Sequence, residues 1–245
     1  MIFKNLQRTI IVTGGSSGIG NSLVNFLISR NFNVVNIDKK KFHIKSKNYK
    51  FILCDLSDFK QITKKIKILN LEKNIISLIN CAGMTVSKES INYKLENWLK
   101  TIAVNLTAPF IISQFVAKIM IKNRSAGSII NISSISASVA MPNNPAYNAS
   151  KAALSNLTKS LALDLAKYKI RVNTISPGYT NTPLNSNSWK NKKLRKKRSN
   201  KTSLKRWALP YEYNEAILFL IDKNKSSYMT GSNITIDGGW TAKGL

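Results

Sequence analysis

Short apolar runs alternate with longer segments of helical periodicity along the whole chain. Runs of five or six residues rich in Ile and Val predict strands, and the amphipathic segments between them predict helices. Alternation of this kind is typical of βαβ units, which build a parallel sheet with helices on its faces. The predicted strands lie near 9–13, 33–37, 50–54, 75–80, 128–133, 170–175 and 233–237, and the predicted helices near 18–30, 58–70, 95–122, 146–168 and 211–222.

No break in composition and no internal repeat divides the chain. We therefore expect a single α/β domain over 1–245, a doubly wound sheet of seven mainly parallel strands. A basic, low-complexity segment at 184–206 interrupts the alternation. No apolar run approaches the roughly 18–20 residues of a membrane span, and no signal-peptide pattern opens the chain. Because Cys54 and Cys81 lie in apolar runs, as buried thiols of a reducing compartment do, we expect a cytoplasmic protein.

The amino-acid composition limits which catalytic groups, metal sites and partners the chain could have. His43 is the single histidine, which excludes a Ser-His-Asp triad and leaves too few ligands for a zinc site, so no metal is expected. The net charge of +27 would attract nucleic acid, anionic lipid or acidic partners, and it also fits a chain generally heavy in Lys, Asn and Ile. Because the charge is spread along the chain and no nucleic-acid module is present, a nucleic-acid partner is disfavoured.

A glycine-rich turn links the first predicted strand to the first predicted helix. Glycines allow the backbone to turn tightly and approach a pyrophosphate, whose charge the N-terminus of a helix stabilises. An acidic residue, Asp38, ends the next strand, where a carboxylate can bind the ribose hydroxyls of adenosine. These features predict a Rossmann-type dinucleotide site. Its candidate residues in the turn are Gly14, Ser16, Ser17, Gly18, Ile19 and Gly20.

Further motifs occur in order along essentially the whole chain. With T-G-x-x-x-G-x-G, they resemble the short-chain dehydrogenase/reductase (SDR) family, with Cys81 where the family has a second Asn. The resemblance implies an NAD(P)-dependent oxidoreductase that moves a hydride between the cofactor and a carbonyl or secondary alcohol. The motifs are Asn80-Cys81-Ala82-Gly83, Asn105, Ser134, Tyr147 with Lys151, Pro177-Gly178 with Thr182, Thr230-Gly231 and Asp237-Gly238-Gly239.

The catalytic candidates are a tyrosine and a lysine at helical spacing. Tyr147 and Lys151 are four residues apart, so they project from one face of a helix. A phenol has a pKa of about 10, and a nearby ammonium with the positive nicotinamide ring would lower that pKa. Tyr147 then accepts or donates the proton, Ser134 hydrogen-bonds the substrate oxygen, and Lys151 also holds the nicotinamide ribose. The resemblance assigns Asn105 to a water that links the lysine to solvent.

The cofactor is predicted to be NAD rather than NADP. Asp38 would repel a 2′-phosphate, and Ser17 stands where NADP-using members often carry arginine. Lys39-Lys40-Lys41 could still bind a phosphate. Asp55, which the resemblance assigns to the adenine, could alternatively cap the following helix. The resemblance extends the cofactor contacts to Asp55, Leu56, Asn80, Ala82, Gly83, Tyr147, Lys151, Pro177, Gly178, Thr180 and Thr182.

The basic segment 184–206, with Trp189 and Trp207, lies where the resembled family folds over its substrate. Its charge favours an anionic substrate, such as an acyl carrier protein, a coenzyme A ester or an acidic sugar, and the alternative is a solvated loop. The chain looks most like 3-oxoacyl-(acyl-carrier-protein) reductases. Alternatives are a sugar, polyol or other secondary-alcohol dehydrogenase, or a non-catalytic dinucleotide- or nucleic-acid-binding protein. The family also implies a homotetramer through the helices near 95–122 and 146–168.

Overall fold

Seven parallel strands form one sheet in the computed structural model, which describes residues 8–72 and 74–242. The spatial order is β3-β2-β1-β4-β5-β6-β7, and every neighbouring pair is parallel. All seven predicted strands are present, and the predicted α/β fold is confirmed. The strands are β1 (Thr9–Thr13), β2 (Asn33–Asp38), β3 (Tyr49–Leu53), β4 (Ile75–Asn80), β5 (Gly127–Ile132), β6 (Ile170–Pro177) and β7 (Asn233–Ile236).

Helices cover both faces of this sheet, which explains why the central strands are buried and rich in Ile and Val. Successive residues of a strand point to opposite faces, so neighbours such as Ile10 and Ile11 enter two separate cores. The helices are α1 (Gly18–Ser29), α2 (Phe59–Lys65), α3 (Leu95–Ile102), α4 (Ala108–Lys122), α5 (Pro145–Leu165), α6 (Ser186–Lys190), α7 (Lys192–Lys201) and α8 (Asn214–Ile221).

A π-helical turn at Ala103–Thr107 joins α3 to α4, so Leu95–Lys122 forms a helix of 28 residues. Its most apolar window has a mean hydropathy of 1.5, enough by length and composition to cross a membrane. However, 56% of the window is buried inside the protein, where residues such as Ile112 and Met120 pack against the sheet. A core helix meets the same criteria.

The basic segment 184–206 contains two helices, α6 and α7, where the sequence offered only a low-complexity stretch. Lysine and arginine are good helix formers, and Asn191 caps α7 by accepting a hydrogen bond from the Leu194 amide at 2.9 Å. Trp207 anchors the helix, because its indole donates to the Arg195 carbonyl at 3.3 Å. The segment is therefore a folded part of the domain rather than a solvated loop.

Candidate active site

A cleft of about 760 Å³ lies at the carboxyl ends of the strands. The strand order changes direction between β1 and β4, and ligands of open parallel sheets bind at such switch points. Loops after β1, β4, β5 and β6 line the cleft together with the start of α1, part of α5 and one face of α7.

The glycine turn after β1 forms the floor of one half of the cleft. Gly14 has a φ of +72°, and a Cβ built on it would lie 2.6 Å from the Ala82 Cα. A Cβ on Gly20 would overlap the Gly14 carbonyl oxygen. The first turn of α1 has no acidic residue, and its N-cap, Ser17, makes no side-chain capping bond. No side-chain cap therefore competes with an anion at the start of this helix, so this cradle fits a pyrophosphate.

Two polar residues of β2 hold the glycine turn in place. Asp38 Oδ2 accepts from the Ser16 amide at 3.0 Å, and its Oδ1 accepts from the Lys40 amide at 2.9 Å. Asn36, which is fully buried, accepts from the Gly15 amide at 2.9 Å and donates to Ser16 Oγ at 3.1 Å. The Ser16 side chain therefore contacts Asn36 and stabilises the turn, and it does not line the cleft. Sequence reasoning missed Asn36, although a polar residue within an apolar strand is a usable signal.

The adenosine end of the cleft carries charges of both signs. Asp38 and Asp55 line it beside Lys39 and Lys40, whose side chains are exposed. Asp55 does not cap α2, as one alternative had it, because Asp58 does so by accepting from the Gln61 amide at 3.0 Å. Asp55 instead accepts from the Ser57 amide and hydroxyl at 2.9 and 2.8 Å.

Ser134, Tyr147 and Lys151 meet in the middle of the cleft. Ser134 follows β5, and Tyr147 and Lys151 lie one turn apart on α5. Ser133 ties the two elements together, because its hydroxyl donates to the Lys151 carbonyl at 3.0 Å. The Lys151 amine donates to the Ile132 carbonyl at 2.7 Å and lies 5.7 Å from the centre of the Tyr147 ring. The three groups can therefore act on one substrate oxygen.

Burial dominates the acid–base behaviour of these groups. The pKa of Tyr147 is raised because burial disfavours the phenolate, although the hydrogen bond with Ser134 opposes that effect. Burial lowers the pKa of Lys151 to about 8, and burial raises the pKa of the neighbouring Cys81 to about 12. From the sequence, Lys151 and the positive nicotinamide ring together are expected to lower the pKa of Tyr147, whereas in the protein without cofactor that pKa is raised. Tyr147 is a protonated phenol at neutral pH, ready to donate.

Besides Ser16, the predicted site residues Asn80 and Asn105 do not line the cleft. The Asn80 side chain points into the core, where it donates to Ser113 Oγ at 3.0 Å and to Asn131 Oδ1 at 2.8 Å. Asn105 is fully buried in the π-helical turn. Its amide accepts from the Met84 amide and donates to the Met84 carbonyl, both at 2.9 Å, and it also donates to Ser150 Oγ at 3.0 Å. The sequence motif identified these positions but not the direction of their side chains.

The segment after β6 closes over the glycine turn. Pro177, Gly178, Thr180 and Thr182 all line the cleft. A Cβ on Gly18 would lie 3.2 Å from Thr182 Cγ2, which shows how closely the two segments approach. The Thr180 hydroxyl is within 2.6 Å of the Tyr213 hydroxyl and donates to the Gly178 carbonyl at 3.0 Å, so it holds the segment itself.

The remaining predicted cofactor contacts, Ser17, Ile19, Leu56, Ala82 and Gly83, also line the cleft. Cys54 and Cys81 are free thiols. Over residues 8–72 and 74–242, no group of three or more His, Cys, Asp or Glu side chains could hold a metal ion.

The chain is similar in sequence and fold to known oxidoreductases. A family model described as enoyl-(acyl carrier protein) reductase matches residues 14–241. The chain is 32% identical to a ribulose-forming D-arabinitol 2-dehydrogenase of Candida albicans, over 97% of this chain and 94% of that protein. It is 34% identical to a 3-oxoacyl-(acyl-carrier-protein) reductase of Buchnera aphidicola, over 95% and 97%. A solved structure of 4-hydroxyisoleucine dehydrogenase complexed with NADH matches with a TM-score of 0.92 and 37% identity, over 97% of this chain and 100% of that one.

Proposed function

The chain belongs to the short-chain dehydrogenase/reductase family and is an NAD(P)-dependent oxidoreductase of alcohol and carbonyl groups, and from that premise we propose that Tyr147, Lys151 and Ser134 carry its reaction. The observation that supports this assignment is their meeting in one cleft beside the glycine cradle. Hydride is supplied or taken up by the nicotinamide ring when the cofactor is bound.

In this proposal, Tyr147 is the group that exchanges a proton with the substrate. In carbonyl reduction its hydroxyl donates a proton to the substrate oxygen, and in alcohol oxidation the phenolate accepts that proton. Ser134 Oγ donates a hydrogen bond to the same oxygen and holds it near the phenol. Lys151, fixed by the Ile132 carbonyl, supplies a nearby amine that can return a proton to Tyr147. The raised pKa of Tyr147 keeps the phenol protonated at neutral pH, as proton donation in carbonyl reduction requires.

Asn105 is proposed as a positioning residue. Its amide joins the loop at Met84 to α5 at Ser150, and Ser150 Oγ donates to the Tyr147 carbonyl at 2.8 Å. Asn105 therefore acts on the reaction through the placement of Tyr147 and Lys151. This differs from the water contact implied by the family resemblance.

Parallel assays of NADH and NADPH oxidation test whether the protein is an oxidoreductase. They also distinguish a 3-oxoacyl reductase from a polyol dehydrogenase. The substrates are acetoacetyl-acyl carrier protein and the ketoses ribulose and xylulose, at low and moderate salt. Turnover of the carrier-bound substrate that falls with salt would support the 3-oxoacyl reductase branch, because docking of an acidic carrier is electrostatic. Salt-independent turnover of a ketose would support the polyol branch. Tight cofactor binding without turnover across a wider panel of ketones and alcohols would contradict catalysis and favour a non-catalytic dinucleotide-binding protein.

Asp38 is proposed to select NAD, which predicts the outcome of replacing it with alanine. The carboxylate is held at the cleft by two backbone N–H groups and would repel a 2′-phosphate. In Asp38→Ala we expect the preference for NADH over NADPH, measured as the ratio of dissociation constants by cofactor fluorescence, to fall roughly tenfold or more.

Asp38→Asn is the control for the glycine turn, because it retains an acceptor for the Ser16 amide while removing the charge. We expect the same change of preference with a smaller loss of NADH affinity. An unaltered ratio in both variants would mean that Asp38 does not contact the ribose and that Lys39 and Lys40 decide the cofactor.

A homotetramer is proposed from the apolar surface of the long helices. Trp98, Leu99, Phe110 and Leu163 are 36%, 58%, 41% and 81% exposed on α3, α4 and α5, an apolar surface larger than a lone chain needs. Light scattering of the purified protein tests this assembly, and a monomeric mass would contradict it.

The cytoplasm is the proposed location. The two thiols, Cys54 and Cys81, are unpaired, as expected in a reducing compartment. Cell fractionation with an antibody against the chain tests this location, and recovery outside the cytoplasm would contradict it.

A further inference from the structure

One face of α7 lines the cleft on its β6 side, which lies away from the adenosine end at β2 and β3 and is called the substrate half below. Leu194, Lys197, Arg198 and Lys201 line the same cleft as Tyr147. Their spacing of three and four residues places them on a single side of the helix. The cations at 192, 193, 195 and 196 do not line the cleft. Three positively charged side chains of α7 therefore line the cleft. They are Lys197, Arg198 and Lys201, called the α7 cations below.

Arg198 is held by aromatic rings. Its guanidinium carbon lies 4.7 Å from the centre of the Tyr179 ring and 6.0 Å from that of Trp207. The two rings are 5.2 Å apart, and Trp207 is only 4% exposed. Stacking fixes the plane of a guanidinium and leaves its edge, with the N–H donors, directed outward. The side chain is thus positioned before any ligand arrives.

In the described part of the chain, Arg198 forms no ion pair with an acidic side chain. The ion pairs of the described residues join Arg30 to Glu215, Lys50 to Glu72 and Arg206 to Glu212. Arg206, eight positions later, is neutralised by two hydrogen bonds to Glu212 at 2.7 and 2.6 Å. Within residues 8–72 and 74–242, no acidic partner of the guanidinium of Arg198 is found, so its donors are available to a ligand.

The acidic residues of the cleft are too distant to compensate the α7 cations. They are Asp38 and Asp55, at the ends of β2 and β3. The stacked Tyr179 follows β6, and four strand spacings separate β2 from β6, which is about 19 Å. At that separation in a solvated cleft, charges are largely screened from each other. The substrate half is therefore positive on its own.

We propose that Arg198, with Lys197 and Lys201, binds a carboxylate or phosphate group of the substrate, so that the enzyme acts on small anionic carbonyl compounds or alcohols. The inference rests on the proposed function, since it places the reacting oxygen at Tyr147 and the anionic group at α7. A guanidinium pairs with either oxyanion through two parallel N–H bonds. Because the α7 cations lie inside the cleft, the anionic group has to enter the cleft with the substrate.

Binding to the enzyme–NADH complex is the first test. The probes are succinate, inorganic phosphate and the uncharged succinamide, followed by the change in NADH fluorescence or by calorimetry. We expect one of the anions to bind at least tenfold more tightly than succinamide, and Arg198→Gln to reduce that affinity tenfold or more. Which anion binds more tightly distinguishes a carboxylate from a phosphate substrate.

Two further variants control the interpretation. Arg195→Gln removes a similar arginine, which stacks on Trp189 at 4.8 Å outside the cleft, and should leave anion binding unchanged. Arg198→Lys retains the charge without the two-pronged geometry and should recover only part of the affinity. Equal losses in the Arg195 and Arg198 variants, or binding of neither anion by the wild type, would overturn the proposal.

Turnover separates this inference from the proposed function. NADH oxidation is followed with 4-oxopentanoate and with its uncharged amide, 4-oxopentanamide. Arg198-dependent preference for the acid supports both proposals. Equal turnover of acid and amide, unaffected by Arg198→Gln, would overturn the anion site and leave the oxidoreductase assignment intact. Arg198-dependent binding of succinate without turnover of any ketone would uphold the anion site while contradicting the roles given to Tyr147 and Lys151.

Discussion

Replacing Tyr147 with phenylalanine is expected to lower turnover by roughly a thousandfold while leaving NADH affinity essentially unchanged. The substitution removes only the hydroxyl that we propose exchanges the proton with the substrate oxygen. The ring, its contact with Lys151 and the glycine cradle are retained. Steady-state kinetics on any accepted ketone, with NADH binding followed by fluorescence, measures the two effects separately.

Tyr168→Phe is the matched control for this experiment. Tyr168 is 42% exposed just after α5 and does not line the cleft, so removing its hydroxyl should change neither turnover nor binding. If Tyr147→Phe retained wild-type turnover, the proton would have to come from another group, and the central assignment would be wrong. Loss of NADH binding together with turnover would indicate a damaged cleft instead of a missing acid.

Replacing Lys151 with methionine is expected to lower turnover roughly a hundredfold or more and, at the same time, to stabilise the protein at pH 7. Lys151 is 4% exposed, and burial lowers the pKa of its amine from 10.5 to about 8. That lowering corresponds to a cost of about 3 kcal/mol for burying the protonated amine at neutral pH. Losing the charge-assisted hydrogen bond to the buried Ile132 carbonyl offsets about 2 kcal/mol of the gain, so about 1 kcal/mol should remain.

The gain from Lys151→Met should depend on pH in a defined direction. Below about pH 8 the amine is protonated in both states, and the native protein bears the full cost of burying it. Between about pH 8 and 10.5 the unfolded chain binds more protons, so the unfolding free energy of the wild type rises with pH. The advantage of the variant is therefore largest at pH 7 and shrinks towards pH 10.5.

Urea denaturation at pH 7 and pH 9.5 measures this dependence. Lys159→Met is the control, because Lys159 lies on the same helix with an exposed side chain and should show no comparable gain. A gain for Lys151→Met that is the same at both pH values would contradict the assignment of the cost to the buried ammonium.

Much of the fold could be read from local pattern. A strand buried on both faces is rich in apolar residues on both, so runs such as Thr9–Thr13 and Ile75–Asn80 could be recognised from the sequence alone. The glycine turn could also be recognised from the sequence, because its glycine spacing reflects where the backbone has no room for a side chain. A Cβ at Gly14 would collide with Ala82. The basic segment 184–206 carried no such pattern, since α7 is polar almost all round and is held by Trp207.

Side-chain direction could not be read from the motifs. Asn80, Asn105 and Ser16 match motif positions, yet each is turned away from the cleft by partners distant in sequence. Asn80 reaches Asn131, Asn105 reaches Ser150, and Ser16 accepts from Asn36. Spacing along a chain specifies which face of an element a residue occupies, whereas these hydrogen bonds depend on which elements become neighbours.

The sequence by itself determined the kind of chemistry, because the residue types and their local spacing define a phosphate cradle, a phenol and an amine. Only the tertiary structure decided how those groups behave. Burial, which depends on the packing of the whole domain, raises the pKa of Tyr147 and lowers that of Lys151. Packing likewise selects Arg198 from a run of similar cations, because Tyr179 and Trp207 converge on it from separate segments.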